Sequence, residues 1–280
     1  MTAPRTIFIT GASSGIGLAS AKLFYEQGWN VIATMRTPEK DTELKTLDSS
    51  RILVNRLDLQ DYSSIEPAIR AGIEKFKTIN LLLNNAGYGQ GGIFECIPRE
   101  LVQEQFDVNL FGLMDVTRTL LPHFRANGYG GVINVSSGAG FWSLPMSTMY
   151  NASKFALEGF TEALSYELQS QNVFVKSIVP HGGVTQTDFV DRFHGTSTAI
   201  GESPKSYDEF KARIAASYQK MIAGASVSSH DVTQTIYDAA TDGKVQLRYF
   251  IGNDARGFLK ARYESQSDEE YMTLMRAYFE

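Results

Sequence analysis

Tyr150 and Lys154 are spaced four residues apart, which places a phenol and an ammonium group on one face of a helix. A tyrosine with an ordinary pKa of about 10 holds its proton too tightly to act as a base at neutral pH, and a nearby cation favours the phenolate. Reduction of a carbonyl needs a proton donor for the oxygen, and oxidation of an alcohol needs an acceptor. The pair therefore predicts acid–base chemistry at such an oxygen.

The same spacing occurs a second time, at Tyr207 and Lys211. Because the chain has 13 tyrosines, the spacing alone is a weak signal. No predicted strand immediately precedes Tyr207, and the pair lies in an irregular part of the sequence. We interpret it as a surface helix pair.

A glycine-rich turn, Thr10-Gly11-Ala12-Ser13-Ser14-Gly15-Ile16-Gly17, follows the first predicted strand and opens the first predicted helix. Glycines allow a tight turn and a close approach to a pyrophosphate, and a helix N-terminus offers N–H donors. This setting predicts a dinucleotide site that includes Gly11, Ser13, Ser14, Gly15, Ile16 and Gly17. The glycine clusters at 89–92 and 128–131 lack this setting, and we predict loops there.

Short apolar runs alternate with longer amphipathic segments, as in repeated β-α-β units around a parallel sheet. The predicted strands are Thr6–Thr10, Val31–Thr34, Arg51–Leu57, Ile79–Leu83, Gly131–Val135, Val173–Val179 and Leu247–Ile251. The predicted helices are Gly15–Gln27, Ser63–Phe76, Arg99–Ala126, Tyr150–Gln171 and His230–Thr241. The pattern predicts an α/β fold, one doubly wound Rossmann-type domain with a parallel seven-stranded sheet and helices on both faces.

Two segments depart from this rhythm. Residues 190–229 are too long for a plain connection and predict a lid or substrate loop with a helix near Tyr207–Met221. Residues 253–280 form a tail in which Ser267 and Glu270 have capping-box spacing before an amphipathic stretch, Tyr271–Phe279. No linker separates these parts, so we predict one domain over residues 1–280.

The composition excludes several classes of protein. A net charge of −5 without a run of Lys or Arg argues against nucleic acid as a partner. Cys96 is the only cysteine, so no internal disulfide can form, and the four histidines lack ligand spacing, so no metal site is expected. We find no targeting segment and no apolar run of about 18 residues, and we expect a cytoplasmic protein that does not enter a membrane.

Several motifs together resemble the short-chain dehydrogenase/reductase family over roughly residues 5–190. They are the spacing Gly-x-x-x-Gly-x-Gly, Asp58-Leu59, Asn84-Asn85-Ala86-Gly87, Asn109, Ser136-Ser137 and Tyr150-Asn151-Ala152-Ser153-Lys154. Taken alone, Asp58 could be a helix cap and the asparagine pair could be turn residues. Their order along the chain favours the family.

The resemblance implies a role for each of these residues. Asp58 and Leu59 would contact the adenine, and Asn85, Ala86 and Gly87 would also bind the cofactor. Ser137 rather than Ser136 would hold the carbonyl oxygen, because the family's serine precedes its tyrosine by about thirteen positions. Lys154 would also bind the nicotinamide ribose, and Asn109 would hold a water in a proton relay. The resemblance further implies a homodimer or homotetramer formed through the two long helices, unless the tail covers them in a monomer.

The segment after the sixth strand departs from the family's usual Pro-Gly and threonine. It runs Pro180-His181-Gly182-Gly183-Val184-Thr185-Gln186-Thr187, and His181 stands at the usual proline position. Either Thr185 or Thr187 would contact the nicotinamide amide, with Thr187 slightly favoured. His181 could line the pocket or lie solvated in a loop.

The end of the second strand bears on cofactor choice. NAD enzymes use a carboxylate there for the ribose 2′-hydroxyl, whereas this chain has Met35 and then Arg36. A guanidinium matches a 2′-phosphate with two hydrogen bonds, so NADP(H) is the expected cofactor and NAD(H) is possible. The alternative is that Arg36 is a solvated residue.

The loop Gly138–Met149 carries Phe141, Trp142, Leu144, Met146 and Met149 between the serine and the tyrosine. These side chains could line an apolar pocket or pack under the lid or in a subunit contact. We therefore predict an NADPH-dependent reductase of a moderately apolar ketone or aldehyde. The alternatives are a catalytically silent nucleotide-sensing protein and an epimerase or dehydratase on the related fold.

Overall fold

The structure is a computed structural model that describes residues 3–185, 189–198, 200, 202–224, 227–254 and 256–280. The strands are β1 (Thr6–Thr10), β2 (Asn30–Met35), β3 (Ile52–Arg56), β4 (Leu81–Asn84), β5 (Gly130–Val135), β6 (Val173–Pro180), β7 (Val184–Thr185), β8 (Val227–Ser228) and β9 (Arg248–Ile251). The α-helices are α1 (Gly15–Glu26), α2 (Ile65–Phe76), α3 (Arg99–Phe106), α4 (Gly112–Asn127), α5 (Thr148–Gln169), α6 (Phe189–Thr198), α7 (Asp208–Ala223), α8 (Ser229–Thr241), α9 (Phe258–Glu264) and α10 (Asp268–Phe279).

In the described part of the chain, seven strands form one parallel sheet in the order β3-β2-β1-β4-β5-β6-β9. The strands are apolar along their length because both faces of the sheet are covered. Ile7 and Ile9 of β1 face α1 and α8, whereas Phe8 faces the layer of α2, α4 and α5. This arrangement confirms the predicted doubly wound α/β fold.

The prediction of one long helix over Arg99–Ala126 is wrong in one respect. A π-helical turn over Asp107–Phe111 separates α3 from α4. A π-helical turn adds a residue to one turn of a helix, and the helical spacing of apolar residues does not specify where such an insertion falls. Asn109 lies in this turn and is 1% exposed.

The segment over residues 190–229 contains more structure than the sequence predicted. Besides α7, which corresponds to the predicted helix, it includes most of α6. It also supplies β8, which pairs in parallel with β7 in a second, two-stranded sheet. Strands of two residues carry too short a pattern to be predicted from sequence.

The tail forms α9 and α10, of which only α10 was predicted. The Ser267 hydroxyl accepts from the Glu270 N–H at 3.2 Å, as a capping box requires. The Glu270 carboxylate accepts instead from the N–H of Gln266 at 2.7 Å, so the reciprocal half of the predicted box falls one residue earlier. Within the described residues, no helix is both long and apolar enough to cross a membrane.

Candidate active site

A cavity of about 760 Å³ lies at the carboxyl ends of the strands, where the strand order reverses between β1 and β4. It is lined by most of the predicted site residues, namely Gly11, Ser13, Ser14, Gly15, Ile16, Arg36, Asp58, Leu59, Asn85, Ala86, Gly87, Ser137, Tyr150 and Lys154. Two more predicted residues, Gly17 and Asn109, are buried against members of this wall. Segments far apart in sequence thus meet at one site.

The glycine-rich turn is packed closely against the segment that follows β4. Gly11 has a φ of +70°, and a Cβ atom there would lie 2.8 Å from the Cα of Ala86. A Cβ on Gly17 would lie 2.2 Å from the backbone oxygen of Gly11 and 2.5 Å from the Nδ2 of Asn85. Both positions require glycine, because a side chain would force these segments apart.

The two adjacent asparagines at the end of β4 do different things. Asn85 donates through Nδ2 to the backbone oxygens of Thr10 and Gly11, both at 3.0 Å, and so holds the turn in place. Asn84 is buried and donates to Asn134 at 2.9 Å and to Thr117 at 3.0 Å. Asn84 therefore ties β4 to its neighbours in the core, while Asn85 faces the cavity.

Asp58 is not a helix cap in this structure. The 3₁₀ turn before α2 is capped by Asp61, whose carboxylate accepts from the N–H of Ser63 at 3.1 Å. The Asp58 carboxylate accepts from the N–H of Gln60 at 3.2 Å and lines the cavity together with Leu59. This position leaves Asp58 and Leu59 as candidates for adenine contacts.

The two serines after β5 are placed differently. Ser137 is half-buried, and its Oγ accepts from the N–H of Ala139 at 3.1 Å, which starts a 3₁₀ turn over Gly138–Gly140. Ser137 also lies close enough to Tyr150 for its hydroxyl to lower the pKa of that tyrosine. Ser136 is 5% exposed, and its Oγ has no partner among the described residues. The contact with Tyr150 supports the choice of Ser137.

Tyr150 and Lys154 both lie in the first two turns of α5. The Nζ of Lys154 is buried, donates to the backbone oxygen of Val135 at 2.9 Å and lies 5.9 Å from the centre of the Tyr150 ring. The spacing along the helix thus brings the two groups into one site, as the sequence predicted, although the ammonium group points to the end of β5.

Burial is the largest influence on the pKa values of Tyr150 and Lys154. It raises the pKa of Tyr150 to about 12, opposed by the hydrogen bond with Ser137. It lowers the pKa of Lys154 to about 8, opposed by the negative charge of Glu158. The sequence predicted that Lys154 lowers the pKa of Tyr150, whereas that pKa is raised because the cost of burying a phenolate dominates. Tyr150 is therefore an acid that keeps its proton at neutral pH.

Asn109 connects the π-helical turn to the segment after β4. Its Oδ1 accepts from the N–H of Tyr88 at 3.0 Å, and its Nδ2 donates to the backbone oxygen of Tyr88 at 2.9 Å and to the Oγ of Ser153 at 3.1 Å. Ser153 precedes Lys154 in α5. Asn109 thus fixes two walls of the cavity, a role that the sequence did not indicate.

The segment after β6 approaches the cavity through His181, Gly182, Gly183 and Val184. The hydroxyl of Thr185 donates to the backbone oxygen of Val227 at 3.2 Å, and Thr187 lies outside the described residues. His181 is 7% exposed and lines the cavity, its ring 5.7 Å from that of Trp142. Burial lowers the pKa of His181, so it is not a solvated loop histidine.

The apolar side chains of the loop before α5 take both predicted roles, some lining the cavity and others packing elsewhere. Trp142 and Leu144 line the cavity. Phe141 instead packs against Phe250, with 5.0 Å between the centres of the two rings. Met146 borders a smaller, separate cavity. Further aromatic side chains that the sequence did not single out also line the main cavity. They are Phe189, Phe193, Tyr218 and Phe258.

The second tyrosine–lysine pair lies away from the main cavity. Lys211 forms an ion pair with Asp208 at 2.8 Å and donates to Ser203 at 2.7 Å. A hydrogen bond to Glu95 raises the pKa of Tyr207. These contacts agree with the interpretation of Tyr207 and Lys211 as a surface pair.

Known proteins resemble this chain in sequence and in fold. A family model described as short chain dehydrogenase matches residues 5–196. The chain is 36% identical over 255 residues to the uncharacterized oxidoreductase YusZ of Bacillus subtilis (strain 168), covering 89% of each chain. The chain belongs to the short-chain dehydrogenase/reductase family. The crystal structure of a short-chain dehydrogenase from Streptomyces avermitilis is 28% identical, with a TM-score of 0.82 over 99% of each chain.

Members of this fold have been solved with either nicotinamide cofactor. A short-chain dehydrogenase/reductase from Burkholderia phymatum in complex with NAD has a TM-score of 0.80 at 22% identity over 94% of each chain. One from Burkholderia cenocepacia J2315 in complex with NADP has a TM-score of 0.74 at 21% identity over 98% of each chain. The family places the chain among oxidoreductases, and these two neighbours share its fold.

Proposed function

We propose that the protein reduces a moderately apolar ketone or aldehyde with NADPH and that Tyr150 is the proton donor. The observation that carries this proposal is the meeting of Ser137, Tyr150 and Lys154 in the cavity that begins at the glycine-rich turn. A catalytically silent nucleotide sensor would not need this set of groups around one cavity.

The residues present fit a dinucleotide. The glycine-rich turn and the N-terminus of α1 form one end of a cavity whose volume suits a nucleotide cofactor. Gly15 and Ile16 in the first turn of α1 would face the pyrophosphate, because the N–H groups there have no partner within the helix. Asp58 and Leu59 would hold the adenine, and Lys154 the nicotinamide ribose. A bound nicotinamide supplies a hydride to a carbonyl carbon.

The side chains around Tyr150 complete the reduction. Ser137 would donate a hydrogen bond to the carbonyl oxygen, and Tyr150 would donate its proton to that oxygen as a hydride from the cofactor forms the new C–H bond and the C–O double bond becomes single. The product is an alcohol, and Tyr150 is left as a phenolate beside the Lys154 cation. Because burial keeps Tyr150 protonated, the resting site is prepared for reduction.

The walls near Tyr150 support an apolar substrate. The ring of Phe189 lies 5.3 Å from that of Tyr150, and the rings of Phe193 and Tyr218 lie 6.4 Å apart. Trp142 and Leu144 complete the apolar lining on the other side. Burying a hydrocarbon substrate against these surfaces would supply binding free energy, while Ser137 and Tyr150 would orient its oxygen.

The proposed preference for NADPH rests on Arg36. It is exposed, follows β2 and lines the cavity next to Met35, where an NAD enzyme would have a carboxylate. The guanidinium would bind the 2′-phosphate of NADPH.

The test is to follow the oxidation of NADPH and NADH with a panel of ketones and aldehydes of graded apolar size. We expect NADPH to give the higher kcat/KM. Loss of a hydrogen bond to a charged group costs about 1.5–3 kcal/mol, so Arg36→Ala should weaken NADPH roughly 10- to 150-fold and NADH little. Arg70→Ala, which removes an exposed arginine on α2, is the matched control. A wild type that prefers NADH, or no turnover with any carbonyl, would contradict the proposal.

A further inference from the structure

Arg192 of α6 reaches across the cavity to the glycine-rich turn. Its Nη2 donates to the Oγ of Ser14 at 3.2 Å. Both residues line the same cavity as Arg36. A guanidinium group from the segment after β6 therefore lies at Ser14, the residue that immediately precedes α1.

The helix that carries Arg192 is fixed on the opposite wall by separate contacts. The hydroxyl of Thr196 donates to the backbone oxygen of Gly89 at 3.0 Å and accepts from the N–H of Gly91 at 3.3 Å. The ring of Phe189 packs on Tyr150. Because α6 is held at both ends, Arg192 reaches Ser14 from a defined position.

Ser14 lies at the adenosine end of the cavity. The N–H of Ala12 donates to the backbone oxygen of Thr34 at 2.9 Å, so the glycine-rich turn runs directly beside the end of β2. Ser14 is two residues beyond Ala12, and Arg36 is two residues beyond Thr34. Arg192 and Arg36 thus approach the same end of the site from different elements.

We propose that Arg192 is the second cation that binds the 2′-phosphate of NADPH, supplied by α6 because the glycine-rich turn has the neutral Ser14 there. This inference rests on the proposed preference for NADPH. A phosphate monoester carries close to two negative charges at neutral pH, and two guanidinium groups match it better than Arg36 alone. Gly15 and Ile16 remain for the pyrophosphate, which NADH and NADPH share.

The experiment measures binding without turnover. NADPH, NADH, 2′-AMP and 5′-AMP are titrated by calorimetry into the wild type, Arg192→Ala, Arg36→Ala and the control Arg213→Ala on α7. For Arg192→Ala we expect NADPH and 2′-AMP to bind roughly 10- to 150-fold more weakly, as for the loss of a charge-assisted hydrogen bond, with NADH and 5′-AMP little changed. Arg192→Lys should restore part of the loss, and Arg213→Ala should bind like the wild type.

The outcomes distinguish a failure of this inference from a failure of the proposed preference for NADPH. Equal weakening of NADPH and NADH by Arg192→Ala would place Arg192 on a group common to both cofactors and would overturn the inference. An unchanged affinity for 2′-AMP would also overturn it. A wild type that binds NADH more tightly than NADPH would contradict the proposed preference itself. If Arg36→Ala weakens NADPH and Arg192→Ala does not, only the inference fails.

Discussion

At the scale of single residues, burial gives Tyr150 and Lys154 opposite shifts. The pKa of Tyr150 rises to about 12, so its proton remains in place across the neutral and mildly alkaline range. The pKa of Lys154 falls from 10.5 to about 8, so the ammonium group loses its charge above that pH. Lys154, rather than Tyr150, should therefore set the alkaline limit of reduction.

We predict that kcat/KM for carbonyl reduction falls as the pH rises through about 8, because Lys154 becomes neutral there and no longer stabilises the phenolate left on Tyr150. Lys154→Arg should move this fall to higher pH, since a guanidinium keeps its charge up to a pH of about 12. The measurement is a pH profile of kcat/KM with a saturating cofactor.

A change at Glu158 should shift the fall in kcat/KM in the other direction, to lower pH. Its carboxylate is buried one turn beyond Lys154 and raises the pKa of that lysine. Glu158→Gln should therefore move the fall to lower pH. An alkaline limit that stays at the same pH in both variants would show that Lys154 does not set it.

The sequence predicted that Tyr150 and Lys154 share a site from their helical spacing and added Ser137 through the family resemblance, and all three line the same cavity in the structure. The resemblance assigned a cofactor role to Asn85 and not to Asn84, but the sequence did not show that Asn84 would bond to Asn134 and Thr117 in the core. It also missed Arg192, whose contact with Ser14 joins positions 178 residues apart. No local pattern specifies a contact over such a distance.

At the scale of elements, the sequence predicted the strands of the large sheet to within two residues, because buried parallel strands are continuous apolar runs. It did not predict the π-helical turn, β7 or β8. The pairing of Val184 with Val227 joins segments far apart in the chain, and each segment is only two residues long. Elements this short depend on tertiary contacts rather than on local periodicity.

The outer face of α5 carries two exposed aromatic side chains. Phe155 and Tyr166 are 38% and 69% exposed, and they lie eleven positions apart on one face. Gly159 lies between them and has nothing within 4 Å of where a Cβ would be, which would let another helix approach closely. Phe111, at the start of α4, is 46% exposed.

We predict that the protein forms a homodimer or homotetramer through the faces of α4 and α5. Light scattering at micromolar concentration should give the mass of two or four chains of 31.0 kDa. Phe155→Glu should reduce that mass by placing a charge in the contact, and Tyr62→Glu, at another exposed aromatic residue, should not. A wild type with the mass of one chain would reject the prediction.

At the scale of the whole molecule, the strand order explains why distant motifs form one site. It places β1 between β2 and β4, so the glycine-rich turn, Arg36 and Asn85 meet at the carboxyl edge of the sheet. The sequence left open whether the tail covers the long helices. In the structure Phe258 and Met275 of the tail pack with Phe141 and Trp142 instead. The tail thus contributes Phe258 to the cavity wall, which spacing alone could not show.

The most direct test of the account compares two tyrosine variants in the same reduction assay. Tyr150→Phe should lower the rate of carbonyl reduction by about 10²- to 10⁴-fold, the usual contribution of a general acid, and leave the affinity for NADPH nearly unchanged. Tyr207→Phe removes the hydroxyl of the other tyrosine–lysine pair and should have almost no effect. If Tyr207→Phe abolished activity while Tyr150→Phe retained it, the assignment of Tyr150 as the catalytic acid would be wrong.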